Sequence, residues 1–507
     1  MCIRDSPNRI GQGIEFDYCC VQAALAFREE GIETIMVNSN PETVSTDFDV
    51  SDKLYFEPIV EEDVLEIVHH ENPLGVVVQF GGQTPLKLTS VLQKYNIPIL
   101  GTSPESIDIA ENREKFKSFL SGFNFKQPRN LAVSEKEMVK SAVLELGYPV
   151  IVRPSYVLGG RAMELIYTES DLKNYVNNRV EISPDNPLLI EEFLEDATEI
   201  DIDLISDGEN VLIGGILQHI EEAGIHSGDS SCSFPPYSVP EKKIIQLKKE
   251  IKGVAKKLKV KGLMNAQVAI KNDEFYMIEV NPRASRTIPF LSKCLGHSLA
   301  KLSSKVLIGN SLKDLGFSSE IVPTSYAVKA PVFPFNKFLK VDPILGPEMK
   351  STGEVMGRGS TFGEAFGKAI KAAGDEMPTR GNIFVSVKDS DKKYLPELCQ
   401  KFIELGFNIK ATKGSCKFLA DKGIRVEKVN KVLEGRPHIV DEILNNEICM
   451  VINTTEGRQS IKDSFSIRRS ALEHSTFLTT TISGGFAIAE SLEKPSNEWN
   501  YIPLQTS

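Results

Sequence analysis

Gln267, Glu279 and Asn281 place one carboxylate and two side-chain amides within the stretch 267–283, which reads QVAIKNDEFYMIEVNPR. On a strand, residues two apart face the same side, so Glu279 and Asn281 share a face. A three-residue turn at Asn272-Asp273-Glu274 sets Gln267 opposite Glu279 across a β-hairpin. Hard oxygen donors in that number suit Mg²⁺ carrying nucleotide phosphates and do not suit zinc. An amphipathic hairpin with a solvated polar face accounts for the same letters, and the stretch alone leaves both readings open.

Arg283 and Arg286 follow the hairpin directly. Cationic groups beside a metal-bound phosphate would offset charge developing on a transferring phosphoryl group. Upstream, Ser155-Tyr156-Val157-Leu158-Gly159-Gly160-Arg161 follows a predicted strand. Its glycines would let backbone N–H groups approach phosphate oxygens, although the stretch is neither a Walker nor a dinucleotide loop. A plain hairpin turn fits it as well. Arg113 and Arg153 are candidate phosphate clamps because guanidinium donates two parallel hydrogen bonds and stays charged; a surface ion pair is the plainer use of either. The loop Glu221 to Ser230 carries His226 among glycines, where it could contact a nucleotide or the acid substrate, or be an ordinary loop histidine.

These groups need a scaffold, and the chain spells out three blocks. After the turn Pro7 to Gly13, residues 14–30 predict a helix ending at Gly31. Short apolar strands are predicted at 34–37, 75–80 and 97–100, with helices between them, which implies a parallel doubly wound sheet over 1–112. The opening Met1-Cys2-Ile3-Arg4-Asp5-Ser6 makes a poor strand, so the first strand is expected to be missing or replaced. Residues 113–310 read as α+β, with strands at 149–153, 188–194 and 198–206 and a basic-faced helix at 241–259. Pro331, Pro334, Pro343 and Pro347 discourage long elements, so 311–373 is expected to connect. From 374 to 507 the βα alternation restarts, with strands at 382–387, 407–411, 426–429 and 448–453 and helices at 466–473 and 484–491.

Composition closes off several classes of function. At 507 residues the chain has room for roughly three or four domains. A net charge of −11 lacks the basic stripe that nucleic-acid binding needs. No apolar run approaches the roughly 18–20 residues of a membrane span, and no signal peptide is visible, so a cytoplasmic protein without membrane contact is expected. The eight cysteines form no CxxC pair, leaving zinc and redox motifs unsupported.

Taken together, Arg113, Arg153 with its Gly159-Gly160 loop, Glu199, Gln267, Glu279, Asn281 and Arg286 resemble the ATP-grasp enzymes. Within them, NRIGQGIEFDY at 8–18, RPSYVLGGRAM at 153–163, EAGIHSGD at 222–229 and LGPEMKSTGEVMG at 345–357 resemble the carbamoyl phosphate synthase large-chain family, in its C-terminal half. The resemblance runs from Pro7 to about residue 492. It implies an α/β multidomain fold: a pre-ATP-grasp Rossmann-like sheet, an ATP-grasp α+β domain, and a C-terminal methylglyoxal-synthase-like doubly wound α/β domain with an allosteric role. It implies an ATP-grasp ligase that phosphorylates carbamate to carbamoyl phosphate, feeding pyrimidine and arginine biosynthesis.

Carried over residue by residue, Arg113 and Arg153 would hold phosphates. Glu192, Leu194 and Glu199 would line the adenosine pocket, and Gly224, Ile225, His226 and Ser227 would contact the nucleotide. Gln267, Glu279 and Asn281 would bind Mg²⁺ or Mn²⁺, with K⁺ a further cation of the family. Arg286 would hold carbamate or the transferring phosphoryl group. Thr412, Ser415, Lys431, Asn453, Thr454, Thr455, Arg468 and Arg469 would form a site for a regulatory nucleotide such as UMP or IMP. The resemblance also implies partners: the N-terminal half with its carboxyphosphate site, and a glutaminase small chain. Glu221, Asp229 and Thr480 match the ornithine pattern of some relatives. Ala330 stands where ornithine-responsive members carry an acid, so no ornithine activation is expected. Two other readings compete: a different ATP-grasp carboxylase or ligase, and a nucleotide-binding regulatory piece without catalysis.

Overall fold

The computed structural model describes residues 2–3, 13–154, 162–183, 186–338 and 341–506. The turn at 7–12 and the glycine loop Ser155–Arg161 lie outside them. In the first block, helix Ile14–Glu29 buries Phe16, Cys19, Cys20, Ala23, Ala24 and Phe27, a stripe at helical spacing. Strand Ile35–Val37 pairs in parallel with Lys53–Tyr55 on one side. On its other side lies Cys2–Ile3, in register Cys2↔Met36 and Ile3↔Val37. A two-residue strand thus stands where the first strand was expected to be missing or replaced. Parallel pairing along the buried Ile35–Val37 needs only an extended backbone, not an apolar run. The strands predicted at 75–80 and 97–100 meet as one parallel bridge, Val76↔Ile99.

The second block divides in two. A four-stranded antiparallel sheet, in the order Asn130–Val133, Leu188–Glu192, Val150–Pro154, Glu164–Ile166, is covered by helices Val139–Leu146 and Glu169–Asn178. A seven-stranded antiparallel sheet runs Glu274–Asn281, Lys261–Lys271, Thr198–Asp207, Val211–His219, Cys232–Phe234, Tyr326–Val332, Gly353–Gly359. Helix Glu241–Lys257 covers one face through Leu247, Ile251, Val254 and Ala255. Helices Ile288–Leu295 and Leu299–Leu307 share a core with the other face and with the first helix.

Two strands of that sheet come from the region expected only to connect. Pro331 is tolerated in strand Tyr326–Val332 because pairing with Cys232–Phe234 ends at Lys329, so no ladder bond needs its absent N–H there. Helix Phe362–Ala373 then joins the core of the last block through Phe362, Ala365, Phe366 and Ala369. Segment 326–373 is thus shared structure between two domains.

The last block is a five-stranded parallel sheet in the order Glu427–Lys428, Asn408–Ala411, Asn382–Ser386, Ile448–Asn453, Phe477–Thr479. Its first strand is central and the chain winds outward both ways. That leaves a topological switch point beyond Ser386 and Asn453, the crevice where open parallel sheets bind ligands. Helix Gly457–Glu473 starts nine residues before the predicted 466, because its first turns are polar and lack a strong helical signal.

Candidate functional site

The hairpin forms with the expected partners through different geometry. The turn has two residues, Asn272 and Asp273, with φ of 50° and 65°. Both central residues in the left-handed region are what a tight type I′ turn requires, so Lys271 pairs with Glu274. A register shift between Gln267 and Val268 then leaves Ile278 as an extra residue. The shorter turn and the bulge offset each other, and Gln267 ends opposite Glu279.

Two polar rows cross the sheet here. One is Asp201–Gln267–Glu279, and the next is Asp203–Asn265–Asn281. Asn281 Nδ2 donates to Glu279 Oε1 at 2.8 Å, and Arg283 Nη2 donates to Asn281 Oδ1 at 3.2 Å. Among the described residues no group of three or more His, Cys, Asp or Glu side chains is arranged to hold a metal. One carboxylate with two amide oxygens still fits a hard divalent cation that completes its shell with phosphates.

Gln267, Glu279 and Asn281 line a cavity of about 840 Å³ whose walls come from the first domain, both sheets of the second, and the loop 223–227. At one end Arg113 Nη1 donates to Glu191 Oε1 at 2.9 Å, while Arg153 Nε lies 3.3 Å from Glu191 Oε2. The Arg153 contact is ionic rather than directed, since among the described residues its Nε has no hydrogen-bond acceptor. Burial pushes the Glu191 carboxyl up and Arg153 opposes the shift. Glu191 gathers two arginines from separate elements, a role hidden in sequence by the adjacent glutamates of Glu191-Glu192.

The loop 223–227 is shaped by close packing. Gly224 has φ +93°, and a Cβ there would stand 2.4 Å from Phe193. Its N–H donates to Glu199 Oε1 at 3.2 Å. Leu194, Ala197, Ala223 and Ala269 form an apolar wall suited to a flat base. Glu192 pairs with Arg129 at 3.1 Å. His226 and Ser227 line the cavity, whereas Ile225 is not among its lining residues. Burial, with Arg286 and Lys329 nearby, pushes His226 down to about 4. The geometry agrees: its Nδ1 accepts the Gly228 N–H at 3.0 Å, which requires an unprotonated nitrogen.

Sequence reasoning passed over His219. It lies 3.0 Å from Asp201 and 3.3 Å from Glu199, fully buried. Burial opposes its charge, yet Cys232 and Asp201 beside it raise it, and Asp201 is lowered in turn by His219. The alternation Glu199-Ile-Asp201-Ile-Asp203 was the available signal for this buried polar face.

At the other end Arg286 lies 3.6 Å from Glu15 of the first helix and reaches Met349 Sδ at 3.2 Å. Lys329 lies 3.5 Å from Glu354 and donates to Ser227 O at 3.4 Å. Ala330 is buried in the core that strand Tyr326–Val332 and helix Phe362–Ala373 share with the last block. Glu221 accepts from Ser230 and Ser231, and Asp229 from the backbone of Lys350 and Ser351.

In the last domain Thr412, Ser415, Asn453, Thr454 and Thr455 gather at the switch-point end of the sheet. Thr412 heads helix Lys413–Asp421, which contains the buried Ser415. Thr454 Oγ1 accepts the Lys388 N–H at 3.0 Å, and Asn453 Nδ2 donates to Ser386 O at 3.2 Å. Lys431 is exposed beyond strand Glu427–Lys428. Arg468 and Arg469, expected at the same site, are engaged within the protein. Arg468 is 0% exposed and grips Asp342 with Nε at 2.8 Å and Nη2 at 2.5 Å, and also donates to Asn453 Oδ1 and Ile461 O. Arg469 pairs with Glu473 and donates to Phe338 O. Both guanidinium groups meet residues far upstream, Arg468 at Asp342 and Arg469 at Phe338, which no local pattern announces.

Comparison with known proteins places the chain. Residues 1–109 match the carbamoyl phosphate synthase preATP-grasp domain, 112–315 the carbamoyl-phosphate synthase L chain ATP binding domain, and 395–480 the MGS-like domain. The carbamoyl phosphate synthase large chain of Pseudomonas syringae pv. tomato is 57% identical over 493 residues, covering 97% of this chain and 46% of the relative. That of Vibrio cholerae is 53% identical over 491 residues with the same coverage. The chain therefore spans about half the length of the curated relatives it matches. Among solved structures, the N5-carboxyaminoimidazole ribonucleotide synthetase of Thermotoga maritima aligns at a TM-score of 0.54 and 15% identity, covering 74% of this chain and 97% of that one. The biotin carboxylase domain of Hydrogenobacter thermophilus 2-oxoglutarate carboxylase, solved with MgADP and bicarbonate, aligns at 0.56 and 16%, covering 73% and 89%. Likeness at that identity establishes a shared fold. Among the described residues no helix is long and apolar enough to cross a membrane.

Proposed function

This chain belongs to the carbamoyl phosphate synthase large-chain family, and from that premise we propose that it phosphorylates carbamate with ATP, yielding carbamoyl phosphate and ADP, as the C-terminal half of a large chain. The observation that carries the reading is the convergence of Gln267, Glu279, Asn281, Arg286 and the Arg113–Glu191–Arg153 cluster on one cavity. A base would lie along Leu194 and Ala269, with Glu199 and Gly224 at its edge. Arg113 and Arg153 would hold phosphate oxygens, exchanging Glu191 for the ligand. Mg²⁺ or Mn²⁺ held by Gln267, Glu279 and Asn281 would offset charge on the β- and γ-phosphates, and K⁺ would be a further cation. Arg286 would orient the carbamate oxygen in line with the γ-phosphorus and neutralise charge on the equatorial oxygens. His226, neutral at working pH, would accept or donate a hydrogen bond without adding charge.

The other large-chain half would supply carbamate, and a glutaminase chain the ammonia from which carbamate is made. A regulatory nucleotide such as UMP or IMP would sit at the switch point of the five-stranded sheet, on Thr412, Ser415 and Asn453 to Thr455. The reaction would run in the cytoplasm. The test is ATP formation from carbamoyl phosphate and MgADP. We expect activity in this chain and a loss of about 100-fold or more in Glu279→Gln, the size typical of removing one transition-state electrostatic group. Equal rates in the two proteins would refute the assignment of the hairpin. No ATP from an unmodified chain that binds MgADP would refute the proposal that this half assembles the site alone.

A further inference from the structure

Arg283 and Arg286 stand on the short turn 282–287 between strand Glu274–Asn281 and helix Ile288–Leu295. That turn is clamped from two sides. The first domain holds its start: Gln79 Nε2 donates to Pro282 O at 3.0 Å, and the Ala284 N–H donates to Gln79 O at 2.9 Å. The sheet holds its end through Asp203, which is 1% exposed. Thr287 Oγ1 donates to Asp203 Oδ2, Asn265 Nδ2 donates to Asp203 Oδ1 at 3.1 Å, and Ser285 is also hydrogen-bonded to the carboxyl. Ser285 Oγ and Thr287 Oγ1 lie 2.8 Å apart, and the Thr287 N–H donates to Ser285 Oγ at 3.2 Å. Arg286 is the residue between these two hydroxyls. Asp203 also shares the cross-strand row with Asn265 and Asn281, the last expected metal ligand.

A carboxylate buried in a sheet is costly unless its lone pairs are satisfied. Burial pushes this one up to about 6. Stability alone would favour an apolar side chain at such a place. Asn265, Ser285 and Thr287 line the cavity and Asp203 does not, so Asp203 acts through them rather than on a ligand. We propose that Asp203 is a positioning residue: through Ser285 and Thr287 it fixes the turn that aims Arg286 at the anionic substrate. This rests on the function proposed above. Placement matters because a shift of about 1 Å at a reacting group costs on the order of 100-fold.

The test uses Asp203→Asn, Thr287→Val and Thr287→Ser in this chain. Calorimetry reads MgADP binding, then inorganic phosphate binding to the MgADP complex; hydrogen exchange reads the 283–287 amides. We expect MgADP affinity to stay within about twofold in all three, because the adenosine wall is untouched. Phosphate affinity should fall about tenfold or more in Asp203→Asn and Thr287→Val, with faster exchange confined to the turn. Thr287→Ser, which keeps the hydroxyl, should restore both. Unchanged phosphate affinity in Thr287→Val, or unchanged exchange in Asp203→Asn, would overturn the proposal. So would a parallel loss of MgADP binding, which would mark general damage. If the unmodified chain forms no ATP, the proposal that this half assembles the site alone fails separately, while phosphate binding and exchange still decide the role of Asp203.

Discussion

Removing Asp342 should damage this protein more than removing the arginine it binds. Arg468 is fully enclosed and meets Asp342 through two parallel contacts, whereas the Asp342 side chain retains 23% exposure. Asp342→Ala leaves a buried guanidinium without its counter-charge. Breaking buried pairs in this way costs about 3–5 kcal/mol, and the partial exposure of Asp342 places the estimate near about 3. Arg468→Met removes the buried charge and fills most of its volume, and water can still reach Asp342. What remains is the loss of donors to Asn453 Oδ1 and Ile461 O, about 1–2 kcal/mol. For a domain of this size about 3 kcal/mol corresponds to a fall on the order of 10 °C in the transition of the C-terminal domain. Scanning calorimetry, with hydrogen exchange on helix Gly457–Glu473 to identify the transition, measures both variants. Asp342→Ala costing under about 1 kcal/mol, or Arg468→Met costing more than Asp342→Ala, would refute the reasoning.

His226 has a folded value of about 4 against an ordinary 6.5, so the unfolded chain binds the extra proton first as pH falls. Its contribution to stability is complete above about 6.5 and is lost as pH drops toward about 4; denaturant midpoints should fall less steeply over that window in His226→Gln, and parallel slopes would contradict the assignment. Gly357 lies on strand Gly353–Gly359 where a Cβ would stand 2.1 Å from Ala365 O and 2.4 Å from Ala369 N, both backbone. Gly357→Ala should cost at least about 2–3 kcal/mol by denaturant unfolding, since neither helix nor strand can yield locally.

Much of the site was legible because it is written in local periods. The two-residue alternation of Glu279 and Asn281 determines that they share a face whatever the fold around them. The partnership of Gln267 with Glu279 also followed from the chain, although the turn is one residue shorter and a bulge at Ile278 makes up the difference. The βα rhythm of the last block, with its strand at 448–453, marked a parallel sheet and hence a switch point. Other features had no local trace. Glu191 gathers Arg113 from 78 residues away, and Thr287 reaches Asp203 across 84. Arg468 meets Asp342, 126 residues upstream. Strands Tyr326–Val332 and Gly353–Gly359 join a sheet whose neighbouring strands lie far earlier in the chain. The division is physical. Side-chain facing within one element is set by backbone geometry that repeats every two or 3.6 residues. The partner of a buried charge is set by which elements pack against it, and desolvation makes that choice expensive to leave unmet.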